Sequence, residues 1–113
     1  MKIKRFEDIE AWENAKNLCI KIFNIFNKDL EKKEKILPEQ IKRASISTMA
    51  NIAEGFFRKN NKEFVQFLFI SKSFAAEVQS HLHIVFEIGI IDNKTFELYN
   101  ISEIIPKTNF NLN

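Results

Sequence analysis

Few side chains in this 113-residue sequence have the types and spacing that chemistry requires. Glu77 and His81 lie one helical turn apart, and a carboxylate and an imidazole at this spacing can share a metal ion. Helical di-metal sites need several glutamates and a repeated Glu/His motif, and the sequence contains no second copy. His83 points to another side of the same helix. We therefore predict no metal or other cofactor, and we expect His81 to be a hydrogen-bonded interface residue.

Nucleophilic catalysis is not indicated either. Cys19 is the single cysteine, so an internal disulfide is impossible, and no histidine stands at a catalytic spacing from it. It falls on the apolar side of the first predicted helix, where we expect a buried and inert thiol. With 2 glycines in the chain, phosphate-binding glycine loops are also excluded. The sequence therefore predicts a protein that is not an enzyme.

A polar stripe on the second predicted helix is more unusual. At roughly 100° per residue, five polar residues fall within about 80° of one another. These residues, called the polar stripe below, are Gln40, Arg43, Ser47, Asn51 and Glu54. Short amides and hydroxyls are mediocre helix formers, so we expect the stripe to face a neighbour rather than open water.

Glu77 is the expected neighbour of the polar stripe. It lies between Ile70 and Ile84 on an otherwise apolar line of the third predicted helix, where an unpaired buried carboxylate would be costly. An antiparallel hairpin brings Glu77 close to the level of Arg43, which predicts an ion pair between them. The stripe and Glu77 would then form a structural polar ladder that fixes the register of the helices. The alternative is that the stripe binds a ligand or a partner.

Four helices must position these residues in a single domain, residues 1–113, of the all-α class. Apolar residues recur at steps of three and four in each segment. The predicted helices cover about residues 9–28, 38–55, 62–88 and 93–105.

The predicted helix ends follow from residues that commonly begin or end helices. Asp8 and Asn61 suit N-cap positions, and Pro38 suits the first residue of a helix because its missing N–H costs nothing there. Gly55 and Gly89 are placed as left-handed residues just after the second and third helices. The fourth helix is too short to cover the third, so an exposed apolar surface and self-association are expected.

The second and third helices carry a specific pattern that includes Gln40–Ala44, Asn51–Phe56, Lys62–Phe64 and Ala75–Val78. This pattern resembles the signature of the 23S ribosomal RNA intervening-sequence protein family, over roughly residues 6–91. The resemblance implies an antiparallel up-and-down four-helix bundle that assembles as a homopentamer. A related branch is the accessory protein of diversity-generating retroelements, which is thought to bind nucleic acid and a reverse transcriptase. Phe57 departs from the family pattern, which usually has a small residue there.

Charge is distributed unevenly along the chain. Residues 1–60 carry 13 basic and 9 acidic side chains, whereas residues 61–113 carry 4 and 6. In one chain the basic residues are ordinary solvated side chains, but in a cyclic oligomer each group repeats and its phosphate contacts add. The candidate nucleic-acid-binding residues are Lys4, Arg5, Arg58, Lys59 and Lys62.

The sequence thus predicts a non-catalytic oligomeric scaffold that binds RNA or an RNA-processing partner through a basic surface. The alternative is a protein-interaction adaptor that uses an exposed apolar groove beside the fourth helix and binds no nucleic acid. No uncharged run approaches the ~20 residues of a membrane span, so we expect no membrane partner and a cytoplasmic location.

Overall fold

The computed structural model of the chain describes residues 3–26 and 35–98. Within these ranges all regular secondary structure is helical, so the predicted all-α class is confirmed. One turn of 3₁₀ helix, Phe6–Asp8, leads into the main helices. These are α1 (Glu10–Ile25), α2 (Ile36–Phe57), α3 (Asn61–Glu87) and a six-residue α4 (Asn93–Leu98). The predicted continuation of the fourth helix to residue 105 lies outside the described residues.

The helices bury their apolar sides in two clusters, one at each end of the antiparallel α2–α3 pair. Each cluster draws residues from α1, α2 and α3, which ties the three long helices together. The first is built around Leu18, Ile22, Phe26, Ile41, Ala44, Ala75, Val78, Leu82, Val85 and Ile91. The second is built around Ile9, Ala11, Ala15, Ile52, Phe64 and Leu68. The burial of its apolar side, more than helix propensity, stabilises each helix.

A small polar layer is buried in this core, on the contact between α2 and α3. The Ser71 hydroxyl donates a hydrogen bond to the Thr48 carbonyl across the two helices, at 2.5 Å. Thr48 Oγ1 donates to the Ala44 carbonyl at 2.9 Å, and Ser45 Oγ donates to the Lys42 carbonyl at 2.8 Å. Each buried hydroxyl therefore has a partner, so the layer avoids the cost of an unsatisfied polar group.

Cys19 is buried on α1, as the sequence predicts. Its burial raises the pKa of the thiol, and a hydrogen bond with Ser45 opposes that shift in part. The neutral thiol is therefore the form that the core holds. Because the thiolate is the nucleophilic form, this environment disfavours reactivity.

Three helix ends differ from the sequence-based expectation. Asp8 lies in the 3₁₀ turn, and the N-cap of α1 is Ile9, whose side chain makes no capping bond. α2 begins at Ile36, so Pro38 is its third residue, where the first turn still requires no N–H from it. The N-cap of α3 is Asn60 rather than Asn61, because Asn60 Oδ1 accepts a hydrogen bond from the Glu63 N–H at 3.0 Å.

Gly55 has a different role from the predicted one. It is buried inside α2, which continues to Phe57, and the left-handed residue of the following turn is Lys59, with φ of 58°. A Cβ at Gly55 would lie 2.6 Å from the Cβ of Phe67 and 3.0 Å from Cδ1 of Phe64. Glycine is thus required for the close approach of α2 and α3. Gly89 does have the predicted left-handed conformation, with φ of 84°.

None of the described helices combines the length and the apolar character that crossing a bilayer requires.

Candidate nucleic-acid interface

The turn between α2 and α3 presents three of the five candidate basic residues. The Arg58 N–H donates to the Gly55 carbonyl at 3.2 Å and the Lys59 N–H to the Phe56 carbonyl at 3.4 Å, so α2 closes with a tight last turn. Asn60 then caps α3 and places Lys62 in its first turn. As a result Arg58, Lys59 and Lys62 are all exposed within five consecutive positions.

An aromatic cluster attaches the N-terminal segment to the same turn. The ring of Phe6 lies 5.1 Å from that of Trp12 and 5.7 Å from that of Phe57, both in edge-to-face arrangements. Phe57 in turn lies 5.6 Å from Phe56. Lys4 and Arg5, which immediately precede Phe6, therefore share one end of the molecule with the turn. We call this region the hairpin end: Lys4, Arg5, Phe6, Phe57, Arg58, Lys59 and Lys62.

Two cations of the hairpin end are engaged by carboxylates. Arg58 Nη2 lies 3.1 Å from Glu54 Oε2, and its guanidinium stands 5.0 Å from the centroid of the Phe67 ring. Arg5 Nη2 lies 3.4 Å from Glu7 Oε2. The hydrogen bond that the Arg5 guanidinium donates to the Glu7 carboxylate is the main cause that raises the pKa of Arg5. A backbone hydrogen bond and the Arg5 side chain both lower the pKa of Glu7.

Three lysines remain for an external anion. Among the described residues, Lys4, Lys59 and Lys62 have no carboxylate within ion-pair distance. The Lys59 ammonium stands 4.9 Å from the centroid of the Phe56 ring, which orients it without neutralising its charge. The net charge of this end is small, because Glu7, Asp8, Glu54 and Glu63 lie in the same stretches of chain.

An exposed aromatic ring completes the hairpin end. Phe57 is 61% exposed although two other rings contact it. Neither Phe57 nor Phe6 is recognisable as a site residue from the sequence, because a contact between residues 51 positions apart leaves no local signal. The aromatic and cationic side chains together offer groups that contact nucleic-acid bases and phosphates, respectively.

The polar stripe lies on the surface of α2. Asn51 Nδ2 donates to the Ser47 carbonyl at 2.8 Å, and Glu54 pairs with Arg58, so both contacts stay within one helix. Gln40 and Arg43 are exposed. In the described part of the chain the stripe therefore does not join α2 to α3.

The expected ion pair between Arg43 and Glu77 is wrong for the described chain, where neither side chain has an ion-pair partner. The two residues are close to level, since Thr48 bonds Ser71 and the helices are antiparallel. However, the line of α3 that carries Glu77 faces outward. Ile70 and Ile84 on either side of it are 42% and 45% exposed. Water can therefore solvate the carboxylate, and no partner is needed.

Comparison with known families assigns the chain. The family model described as 23S rRNA-intervening sequence protein matches residues 7–108. The chain belongs to this family. None of the curated proteins matches it.

In this member of the family the match covers α1 to α4 and the α2–α3 turn, and it begins just after Lys4, Arg5 and Phe6.

His81 Nδ1 donates to the Glu77 carbonyl at 2.8 Å, and the His83 ring lies 4.8 Å from that of Phe96. Within residues 3–26 and 35–98 no three His, Cys, Asp or Glu side chains converge as a metal site would require.

Proposed function

We propose that this protein is a non-catalytic helical scaffold that assembles with copies of itself and binds RNA through the hairpin end. The observation that carries the proposal is the Phe6–Phe57 contact, which brings the N-terminal cations to the α2–α3 turn. Two groups of basic side chains that are distant in sequence, at residues 4–5 and 58–62, then lie at one end of the molecule. A cytoplasmic location and the absence of a membrane partner belong to the same proposal.

The charge of one hairpin end supports only weak binding. With three free lysines, the logarithm of the affinity for single-stranded RNA should fall against the logarithm of salt concentration with a slope of about −2, because each phosphate contact contributes ~0.7. Repetition of the hairpin end around an oligomer multiplies these contacts and increases affinity. Self-association is therefore part of the proposed mechanism.

The outer side of α3 supports self-association. Ile70, Ile84 and Ile88 lie along one side of α3, and they are 42%, 45% and 57% exposed. Their positions, at steps of 14 and 4, keep them within a narrow sector of the helix. An apolar line of this kind is typical of a surface that another helix covers. A ring of five copies is the assembly that the family resemblance implies.

A four-helix bundle is the fold that we propose for each subunit. Its support is the contact between α4 and α3, where the Phe96 ring stacks on that of Phe86 at 4.8 Å with an angle of 15° between the planes. This contact starts the packing of a fourth helix beside α3. Residues 99–113, which would continue it, lie outside the described residues.

RNA retention by charge variants tests the proposal. We expect the triple variant Arg58→Glu, Lys59→Glu and Lys62→Glu to lose salt-sensitive RNA retention while it keeps its helical content and subunit number. The matched control is Lys21→Glu, Lys35→Glu and Lys94→Glu, which makes the same charge change at exposed positions away from the hairpin end. Equal retention by the two variants would refute the hairpin end as the RNA site.

The subunit number tests the self-association. Light scattering should give a mass of several chains, and Ile84→Lys should reduce it because a charge on an apolar contact is costly to desolvate. Ile20→Lys is the control, since Ile20 is 52% exposed on α1. A monomeric wild-type protein would contradict this part of the proposal.

A protein-interaction adaptor is the second candidate, and the exposed isoleucines of α3 favour it as well. In this case a different protein covers Ile70, Ile84 and Ile88. The adaptor predicts that no RNA is retained at any salt concentration and that Ile84→Lys abolishes binding of that protein.

A further inference from the structure

We infer that the hairpin end recognises unpaired bases of single-stranded RNA, with the Phe57 ring as the surface on which a base stacks. The inference rests on the proposed function and specifies its ligand. The inference concerns the Phe57 ring, whereas the proposed function concerns the charges of the hairpin end, so one can be wrong while the other is right.

The Phe57 ring is exposed and is also held by its neighbours. Among the described residues Phe57 is the most exposed phenylalanine, at 61%. Its edge-to-face contacts with Phe6 and Phe56 hold it at one end of α2. An exposed ring with restricted motion loses little conformational entropy when a ligand stacks on it.

The cations of the hairpin end differ in how available they are to a ligand. Arg58, the next residue, is engaged by Glu54 and Phe67, and Arg5 is engaged by Glu7. Neither guanidinium is therefore free for the bidentate contacts that read base edges. What remains available is lysine, a point charge suited to phosphate, and the Lys59 ammonium stands over the Phe56 ring, which in turn contacts Phe57. A lysine and an aromatic ring side by side match one nucleotide of a single strand, with its phosphate and its exposed base.

Single-stranded and double-stranded RNA present different groups to an aromatic ring. In a duplex the bases are stacked on one another and present mainly phosphates and groove edges to a protein surface. An unpaired base can rotate onto an aromatic side chain, and loss of such a stacking ring typically weakens binding roughly ten-fold to a hundred-fold. Three lysine contacts alone would not distinguish the two forms of RNA. The ring therefore predicts a preference for single strands.

Fluorescence anisotropy with three probes tests the inference. The probes are an RNA strand of about twelve nucleotides, an abasic strand with the same phosphates, and a duplex of the same length. We expect the wild-type protein to bind the base-containing strand at least ten-fold more tightly than the other two. Phe57→Leu should abolish this difference, so that the base-containing and abasic strands bind with equal affinity. Phe57→Tyr, which keeps a ring, should preserve it.

Phe69→Leu is the matched control, because Phe69 is 52% exposed on α3 outside the hairpin end and its loss should change nothing. Equal affinities for the base-containing and abasic strands, or no effect of Phe57→Leu, would overturn the inference and leave the charged hairpin end intact. A changed subunit number in Phe57→Leu would assign Phe57 to a subunit contact and overturn it too. If the wild-type protein binds none of the probes, both the inference and the proposed RNA binding are wrong.

Discussion

The rings of Phe6 and Phe57 meet edge to face with their centroids 5.7 Å apart. Because Phe6 precedes α1 and Phe57 ends α2, this contact closes the N-terminal segment against the turn that carries Arg58 and Lys59. The contact contributes to the candidate RNA surface, because it holds the segment that carries Lys4 and Arg5 against the turn. Ile3 and the contact between Phe6 and Trp12 also attach this segment to the core.

A double-mutant cycle measures this contact. Phe6→Ala and Phe57→Ala should each lower the free energy of unfolding in urea. Their combined effect should be smaller than the sum by about 0.5–1.5 kcal/mol, the usual worth of an aromatic pair. Strict additivity of the two effects would mean that the rings do not interact in solution.

Gly55→Ala should destabilise the protein although alanine is the better helix former. The added Cβ would meet the Cβ of Phe67 at 2.6 Å, so α2 and α3 must move apart, at a cost of about 1–3 kcal/mol. Chemical denaturation measures the change. Ala50→Gly, at an exposed position of the same helix, is the control and should cost only about 1 kcal/mol, through helix propensity alone. A gain of stability in Gly55→Ala would contradict the close approach of the helices.

Ser71→Ala should cost about 1 kcal/mol because it removes a buried hydrogen bond between α3 and the Thr48 carbonyl of α2. Ser73 provides the comparison: its hydroxyl is exposed and bonds the Phe69 carbonyl of its own helix at 3.1 Å. Ser73→Ala should change the free energy of unfolding by less than about 0.5 kcal/mol. Equal effects at both serines would show that the buried bond contributes nothing to the contact between α2 and α3.

Cys19 should make stability depend on alkaline pH. Burial raises the pKa of the folded thiol above its unfolded value, so folding favours the protonated form. This contribution is fully present below the unfolded pKa of about 8.5 and is lost as pH rises through the folded pKa. The stability of the wild-type protein relative to Cys19→Ala should therefore fall above about pH 8.5. A thiol reagent that modified the native protein at the rate of a free thiol would contradict the buried site.

Apolar periodicity was sufficient to predict the three long helices, because burial of one side is what stabilises each of them. It could not predict features that depend on two helices at once. Glycine usually ends helices, so the sequence predicts a helix end at Gly55, whereas in the structure the proximity of Phe67 requires glycine there. Arg43 and Glu77 do lie at nearly the same height along the α2–α3 hairpin, as the sequence predicts. Their ion pair was wrong, because a helical wheel does not show which side of one helix faces the next.

At the candidate site, too, features that are local in sequence could be predicted and features that depend on tertiary structure could not. Arg58, Lys59 and Lys62 were found from the sequence because they are neighbours in it. The engagement of Arg58 by Glu54 and the ring contact between Phe6 and Phe57 were not found. The first depends on side-chain conformation and the second on tertiary packing. These two features determine which charges and which ring are available to a ligand.

The salt dependence of RNA affinity tests the central claim most directly. For a single-stranded probe, the logarithm of the association constant should fall linearly with the logarithm of salt concentration, with a slope of about −2 or steeper. For one hairpin end this is a loss of roughly twenty-fold between 50 and 200 mM salt, and more when several copies bind one strand. An affinity that does not change with salt, or no measurable binding at 50 mM salt, would contradict the account.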